Sequence, residues 1–162
     1  MKRIPYKGGI VSFSIPDHWL EEYEEDGCSM FYEDKPESGA LRLNVITAAE
    51  PNLQTDRSGT DALLALFDGK REPGTVVRVL DNGNVLRAYT RQEFEHGEEL
   101  LMHHWEVANR ADANHIRLAI FSFAILASRA SDTEIIAQVA LLNEQLPRTQ
   151  FWKGAVSSET SH

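Results

Sequence analysis

The stretch that decides the fold is TVVRVLDNGNVLRAYTRQEFEHGEELLMHHWEVANRADANHIRLAIFSFAILA, residues 75–127. Runs of alternating or continuous apolar residues are separated there by short turn sequences, a pattern typical of an antiparallel strand meander. Asn82–Gly83 and His96–Gly97 mark two hairpin turns, because tight turns need residues that accept a positive φ. The last run is apolar on both faces, which indicates a central strand. The stretch therefore predicts four consecutive strands, with NRADAN (109–114) as the loop before the last one.

The flanking sequence adds three strands and two helices. IVSFSI (10–15) alternates with a period of two, and CSMFYE (28–33) and LRLNVIT (41–47) are two further strands separated by a turn-rich segment. Helical spacing follows at 58–70 and at 131–147, and each segment begins with the residue types of a capping box. This order predicts an α+β fold, with a mainly antiparallel sheet of about six to seven strands and helices packed on it.

Length and composition are those of one ordinary globular domain, with 162 residues, of which 42% are hydrophobic and 25% charged. We expect a single domain over residues 1–155 and a flexible polar tail at 156–162. The longest apolar stretch, AIFSFAILA (119–127), is too short for a membrane helix, and no secretion signal is evident. The single cysteine, Cys28, fits a reducing compartment. A cytoplasmic location and no membrane partner are therefore expected.

The formal net charge of −9 argues against nucleic acid as a partner, since phosphate binding needs an excess of Lys and Arg. Nine of the 25 acids, but one of the 16 bases, lie between Asp17 and Glu37. Within that segment LEEYEEDG (20–27) mixes apolar residues with carboxylates, which predicts an acidic docking surface for a basic protein partner. The alternative is a solvated loop that only keeps the protein soluble. The predicted partner-binding residues are Glu21, Glu22, Tyr23, Glu24 and Glu25.

Counting residues outward from the two hairpin turns gathers basic and aromatic side chains on one face of the sheet. A two-residue loop at each turn would set Arg78 opposite Arg87 and Tyr89 opposite His104. Guanidinium groups suit carboxylates and phosphates, so this face is a candidate anion site, and a plain solvated sheet face is the alternative interpretation. The candidate anion-binding residues are Arg78, Arg87, Tyr89, Arg91 and His104.

The sequence holds no motif of a known catalytic chemistry. It has no nucleophile elbow, no phosphate-binding glycine loop, no dinucleotide fingerprint and no zinc-ligand spacing. A non-catalytic module with no cofactor and no metal site is therefore predicted. The alternative is a ligand-binding protein or enzyme with a pocket near Tyr89, Arg91, His104 and Glu106, in which His104 would be the acid–base group. Self-association through a sheet edge or the opposed charged surfaces is a further expectation.

The segment GGIVSFSIPDHWLEEYEEDGCSMFYE (8–33) resembles the opening of the Mog1/PsbP-like superfamily. Many of its bacterial members begin with a strand and a Pro-x-x-Trp turn, here Pro16-Asp17-His18-Trp19, followed by a short strand. The long final strand and single C-terminal helix are similar as well. The resemblance implies a Mog1/PsbP-like sandwich, a sheet flanked by helices, with a role in binding proteins rather than in catalysis. Members include a Ran-GTPase binder, a photosystem subunit and bacterial proteins, some of which are chaperones for secreted toxins.

Overall fold

The computed structural model describes residues 1–25, 28–49, 60–69 and 71–152. These residues form two antiparallel sheets and two α-helices, which confirms the α+β class. In chain order the elements are β1 (Lys2–Tyr6), β2 (Val11–Ile15), β3 (Leu20–Tyr23), β4 (Ser29–Tyr32), β5 (Ala40–Ala49), α1 (Asp61–Leu66), β6 (Val76–Val79), β7 (Val85–Glu95), β8 (Glu98–Asp112), β9 (His115–Leu126), α2 (Thr133–Gln145) and β10 (Gln150–Phe151).

The larger sheet has seven strands in the order β3-β4-β5-β9-β8-β7-β6, and the smaller one has the order β1-β2-β10. The predicted meander forms one end of the large sheet, and β9 lies between β5 and β8, as its two apolar faces predicted. Strands β3 and β6 are the edges of that sheet and each pairs on one side. Strands β1, β3 and β10 were not among the seven predicted from the apolar pattern.

The main core lies between the two sheets and α2. Phe13 of the small sheet contacts Phe31 and Phe121 of the large one edge to face, with ring centroids 5.2 and 5.1 Å apart. Ile135 and Leu142 of α2 are buried in the same cluster. Burial of this many large apolar groups is the main driving force for the fold.

The short helix α1 covers part of the opposite face of the large sheet. Its Leu63 and the following Phe67 pack against Val85, Ala108 and Ile116 in a second apolar cluster. The polar side chains that share this face with Val85 and Ala108 therefore lie beside an apolar cover rather than on a fully open sheet. Among the described residues, no helix is both long and apolar enough to cross a membrane.

The predicted loop at 109–114 is wrong. Strand β8 continues to Asp112 and β9 starts at His115, with an irregular step in the pairing between Arg110 and Asp112. The Asp112 carboxylate accepts a hydrogen bond of 2.8 Å from the backbone N–H of Asn114, so the side chain itself closes the turn.

The predicted helix starts also need correction. Asp132, rather than Ser131, is the N-terminal capping position of α2, and its carboxylate accepts a 2.7 Å hydrogen bond from Arg129 Nε. Ser58, which was predicted to cap the first helix, lies outside the described residues, as do residue 155 and the predicted tail at 156–162.

Candidate functional site

The turn between β7 and β8 has the geometry that its sequence predicts. His96 and Gly97 have φ angles of 52° and 79°, as a two-residue hairpin turn with two positive φ angles requires. Tyr89 consequently lies opposite His104, and Arg87 lies opposite Glu106. Because alternate residues share a face, Arg87, Tyr89, Arg91, His104 and Glu106 lie together on the face that α1 partly covers.

The turn between β6 and β7 differs from its prediction by one residue. Gly83 alone has a positive φ there, 87°, and its N–H donates to Leu80 O while Leu80 N–H donates to Asn84 O. This is a three-residue loop, so Val77 lies opposite Arg87, and Arg78 lies opposite Leu86. A one-residue shift moves a side chain to the other face of the sheet. The placement of Arg78 in the anion cluster is therefore wrong.

The most deeply placed charge of this face is Glu106, which is 6% exposed. Arg87 donates to its Oε2 atom through Nε, at 2.9 Å, and through Nη2. The Arg87 guanidinium also lies over the Phe67 ring, 4.7 Å from its centroid. Tyr89 donates a longer hydrogen bond, 3.3 Å, to the other carboxylate oxygen. The charge of Arg87 is thus balanced inside the fold, as a buried ion pair needs.

The two remaining members of the predicted cluster are also engaged. Arg91 forms an ion pair of 2.6 Å with Glu93. The His104 ring stacks on Tyr89 with centroids 4.7 Å apart, and its Nε2 atom is buried with no hydrogen-bond partner in the described part of the chain. Burial, and then the nearby positive charge of Arg91, lower the pKa of His104, so the ring is neutral at pH 7. Burial and the Glu106 carboxylate raise the pKa of Tyr89.

The cavity beside this face is small. It has a volume of about 150 Å³ and is lined by Arg87, Tyr89 and Arg91 together with Arg71, Glu72 and Thr75. His104 and Glu106, which the alternative hypothesis placed in a pocket, are not among its lining residues. In the described ranges, no group of three or more His, Cys, Asp or Glu side chains is arranged to hold a metal ion.

The predicted acidic surface is an edge strand, β3, all four residues of which are exposed. Glu21 forms an ion pair of 2.9 Å with Lys2 and accepts a 2.6 Å hydrogen bond from the Tyr23 hydroxyl. The Tyr23 hydrogen bond, followed by that of Lys2, lowers the pKa of Glu21. Burial, followed by the hydrogen bond to Glu21, raises the pKa of Tyr23 to about 12. Glu22 accepts a 2.5 Å hydrogen bond from the Tyr32 hydroxyl.

The rest of the acidic segment divides into a paired and an unpaired part. Glu33 contacts both Lys35 and His18, at 3.1 and 3.2 Å. Glu24 and Glu25 are exposed at the turn after β3, where no ion pair reaches them from the described residues. Asp26 and Gly27, the end of the predicted segment, lie outside the described residues. Glu24 and Glu25 are thus two adjacent carboxylates open to a partner at the end of β3, and Asp34 and Glu37 are also exposed.

A wider cavity than the one beside Tyr89 was not predicted from the sequence. It has a volume of about 1130 Å³ and lies where the β6–β7 turn, the end of β8, the end of α2 and β10 meet. Because its residues come from four separate segments, no local motif indicated it. The nearest signal was the polar turn DNGN (81–84), three residues of which line the cavity. Among its lining residues are Arg78, Asn84, Asn109, Asn143, Arg148 and Trp152.

No protein-family model matches the chain, and no curated protein matches it. Several solved structures share its fold, among them the following two. A crystal structure from Bacteroides thetaiotaomicron VPI-5482 is 17% identical, with a TM-score of 0.57, and the match covers 94% of this chain and 48% of that one. LpqN, involved in cell envelope biogenesis of Mycobacterium tuberculosis, is 10% identical with a TM-score of 0.57, covering 86% and 82%. The chain spans about half the length of the Bacteroides protein, and both likenesses concern the fold alone.

Proposed function

We propose that this protein is a non-catalytic binding module that docks a basic segment of a partner protein on the acidic strand β3. The observation that carries the proposal is the combination of exposed apolar and acidic side chains on an edge strand. Leu20 and Tyr23 are 41% and 58% exposed, and four glutamates lie between or beside them. Exposed apolar groups among polar ones are typical of protein-binding surfaces, and Tyr is enriched there.

The hydrogen bonds of β3 favour recognition over mere solubility. Tyrosine hydroxyls hold two of the glutamates, Tyr23 on Glu21 and Tyr32 on Glu22, so these carboxylates are oriented before a partner arrives. Orienting a group in advance lowers the entropy lost on binding. Glu24 and Glu25 then supply charge that is open to a lysine or arginine of the partner.

The backbone of β3 offers a second source of affinity. The strand pairs with β4 on one side and ends the sheet on the other. Its outer N–H and C=O groups are therefore suited to an extended peptide that adds a further strand. Four residues give a short contact, so the carboxylates would contribute much of the selectivity.

We also propose that the fold is a Mog1/PsbP-like sandwich and that the protein is cytoplasmic. The turn that supports a Mog1/PsbP-like sandwich is closed by a 3.2 Å hydrogen bond from Trp19 N to Pro16 O, and the buried Trp19 ring stacks on Phe123 at 6.2 Å. A cytoplasmic location rests on the lone thiol of Cys28.

Self-association stays a prediction, for which light scattering across salt concentrations is the measurement.

The anion-binding alternative has less support from the geometry. Arg87 is held by Glu106 and Arg91 by Glu93, so an incoming anion would have to displace a carboxylate at each position. The neutral His104 adds no positive charge. Binding of inorganic phosphate that is lost in Arg91→Glu would revive this alternative.

The test is binding of a labelled lysine-rich peptide of about twelve residues, measured by fluorescence anisotropy at low and at physiological salt. We expect Glu24→Lys with Glu25→Lys to weaken binding at least about tenfold, because repulsion replaces attraction at the docking surface. The matched control is Glu98→Lys with Glu99→Lys, an adjacent exposed pair at the far hairpin with the same change in net charge. Equal losses in both variants, or none in the first, would contradict the proposal.

A further inference from the structure

The cleft of about 1130 Å³ carries basic side chains on an otherwise acidic protein. Three arginines line it, Arg78, Arg110 and Arg148, with the two acids Asp81 and Glu144, and Arg148 forms an ion pair of 3.6 Å with Glu144. The whole chain has a net charge of −9. Arg78, displaced here by the register of the β6–β7 turn, is exposed and has no ion pair with any described residue. The exposed guanidinium of Arg78 is suited to a carboxylate or phosphate of a ligand.

Hydrogen bonds within the protein fix the side-chain amides of the asparagines that line the cleft. Asn84, 5% exposed, accepts a 2.8 Å hydrogen bond from Asn109 Nδ2, and Asn143 accepts one of 2.8 Å from the indole N–H of Trp105. The opposite ends of these amides, Nδ2 of Asn84, Oδ1 of Asn109 and Nδ2 of Asn143, have no hydrogen-bond partner within the described residues. Fixed amides with spare donors and acceptors are suited to hydroxyl groups, which donate and accept at once.

Trp152 adds an aromatic surface to the same cleft. Its side chain is 56% exposed, although its backbone is fixed at both ends. The N–H donates to Ile10 O at 2.9 Å, and the carbonyl accepts a 2.8 Å hydrogen bond from Arg117. Arg117 is 1% exposed and its guanidinium lies 5.8 Å from the indole ring centroid. An exposed indole on a rigid backbone is suited to the C–H face of a sugar ring.

The geometry points to an acidic saccharide as the ligand of this cleft. Hydroxyl groups would bond to the amides of Asn84, Asn109 and Asn143, a ring would stack on Trp152, and the carboxylate would pair with Arg78. The ligand chemistry is thus a polyhydroxylated ring that carries a carboxylate. This site is independent of β3, which lies at the opposite edge of the seven-stranded sheet from β6.

The probe is trigalacturonic acid, with the neutral galactose trisaccharide of the same linkage as its partner. Titrations use calorimetry together with intrinsic fluorescence, because Trp19 and Trp105 are buried and the signal change reports mainly on Trp152. We expect saturable binding of the acidic trisaccharide with a dissociation constant of about 1 mM or lower, and at least about tenfold weaker binding of the neutral one.

Three variants locate the site. Arg78→Ala removes an exposed side chain and is expected to weaken binding at least about tenfold, and Trp152→Ala is expected to abolish the fluorescence change and the heat. Arg42→Ala, an exposed arginine of β5 outside the cleft, is the control and is expected to bind as the parent does. Absence of saturation with the acidic trisaccharide, equal affinity for the neutral one, or equal behaviour of Arg78→Ala and Arg42→Ala would each overturn the inference.

Discussion

The two charged regions that the sequence singles out differ in where their charges are balanced. On the face of β7 and β8, Arg87 pairs with the buried Glu106 and Arg91 pairs with Glu93. At the end of β3, Glu24 and Glu25 are exposed and carry no ion pair with the described residues. The first region uses charge to hold the fold together, and the second keeps charge available to a partner. A charged cluster in a sequence therefore indicates a binding surface only when the fold leaves it unpaired.

The largest expected effect comes from removing the buried carboxylate. Glu106→Leu leaves Arg87 beside an apolar group under the Phe67 ring, and we expect a loss of about 3 kcal/mol in the free energy of unfolding. Urea denaturation measures this. The double variant Arg87→Leu with Glu106→Leu is expected to regain much of the loss, because no unpaired charge then remains. A single variant as stable as the parent would show that the pair is not a structural element.

A smaller loss of stability is expected from a change in the β6–β7 turn. This turn places Arg78 on the opposite face of the sheet from Arg87 and Arg91. Gly83 has a φ of 87°, and Gly83→Ala is expected to cost about 1 kcal/mol because a Cβ atom is strained in that conformation. Among the described residues other than Gly83 and its two neighbours, no heavy atom lies within 4 Å of a Cβ atom at this position, so the loss would come from the backbone rather than from a clash. Thermal or urea unfolding measures it, and an unchanged stability would mean that the turn adopts another form.

The two histidines of β8 are expected to make the stability of the fold depend on pH. Burial lowers the pKa of His103 and His104 in the folded protein, so the unfolded chain binds more protons as pH falls. Stability is therefore fully present above the unfolded pKa of about 6.5 and decreases below it. We expect a smaller decrease between pH 7.5 and 5.5 for His104→Phe, which keeps the ring stacked on Tyr89. An unchanged decrease would exclude His104 as its source.

The smallest change in stability is expected at the end of β3, where Glu24 and Glu25 have no ion pair with the described residues. Glu24→Gln with Glu25→Gln is expected to change the free energy of unfolding by less than about 0.5 kcal/mol, because exposed groups without partners contribute little to folding. The same variant is expected to weaken binding of the lysine-rich peptide. A marked loss of stability would show that these glutamates have a structural role.

The strand register was predictable from the sequence only where the turn residues fit a single type of turn. His96–Gly97 predicted its register correctly because both residues take a positive φ. Asn82–Gly83 did not, because the same dipeptide also fits a three-residue loop in which Gly83 alone has a positive φ. The class of the fold and the central position of β9 followed from apolar patterns, which reflect burial directly.

Features that depend on contacts distant in sequence were not predictable in this way. Gly39 belongs to a turn-rich segment, yet a Cβ atom there would lie 2.1 Å from the Phe123 ring, a close approach that no local pattern reveals. The pairing of Arg87 with Glu106 removes a binding group that residue types alone suggested. The cleft was not predicted for the same reason. Its residues Arg78 and Trp152 are separated in the sequence by β7, β8, β9 and α2.

The most direct test of the central claim is a nuclear magnetic resonance titration of the isotope-labelled protein with the lysine-rich peptide. We predict that the amide chemical shifts change at residues 20–25 and at their partners in β4. Little change is expected at residues 85–107 of β7 and β8. Shifts that change mainly on β7 and β8, or evenly over the acidic residues of the whole surface, would contradict the account.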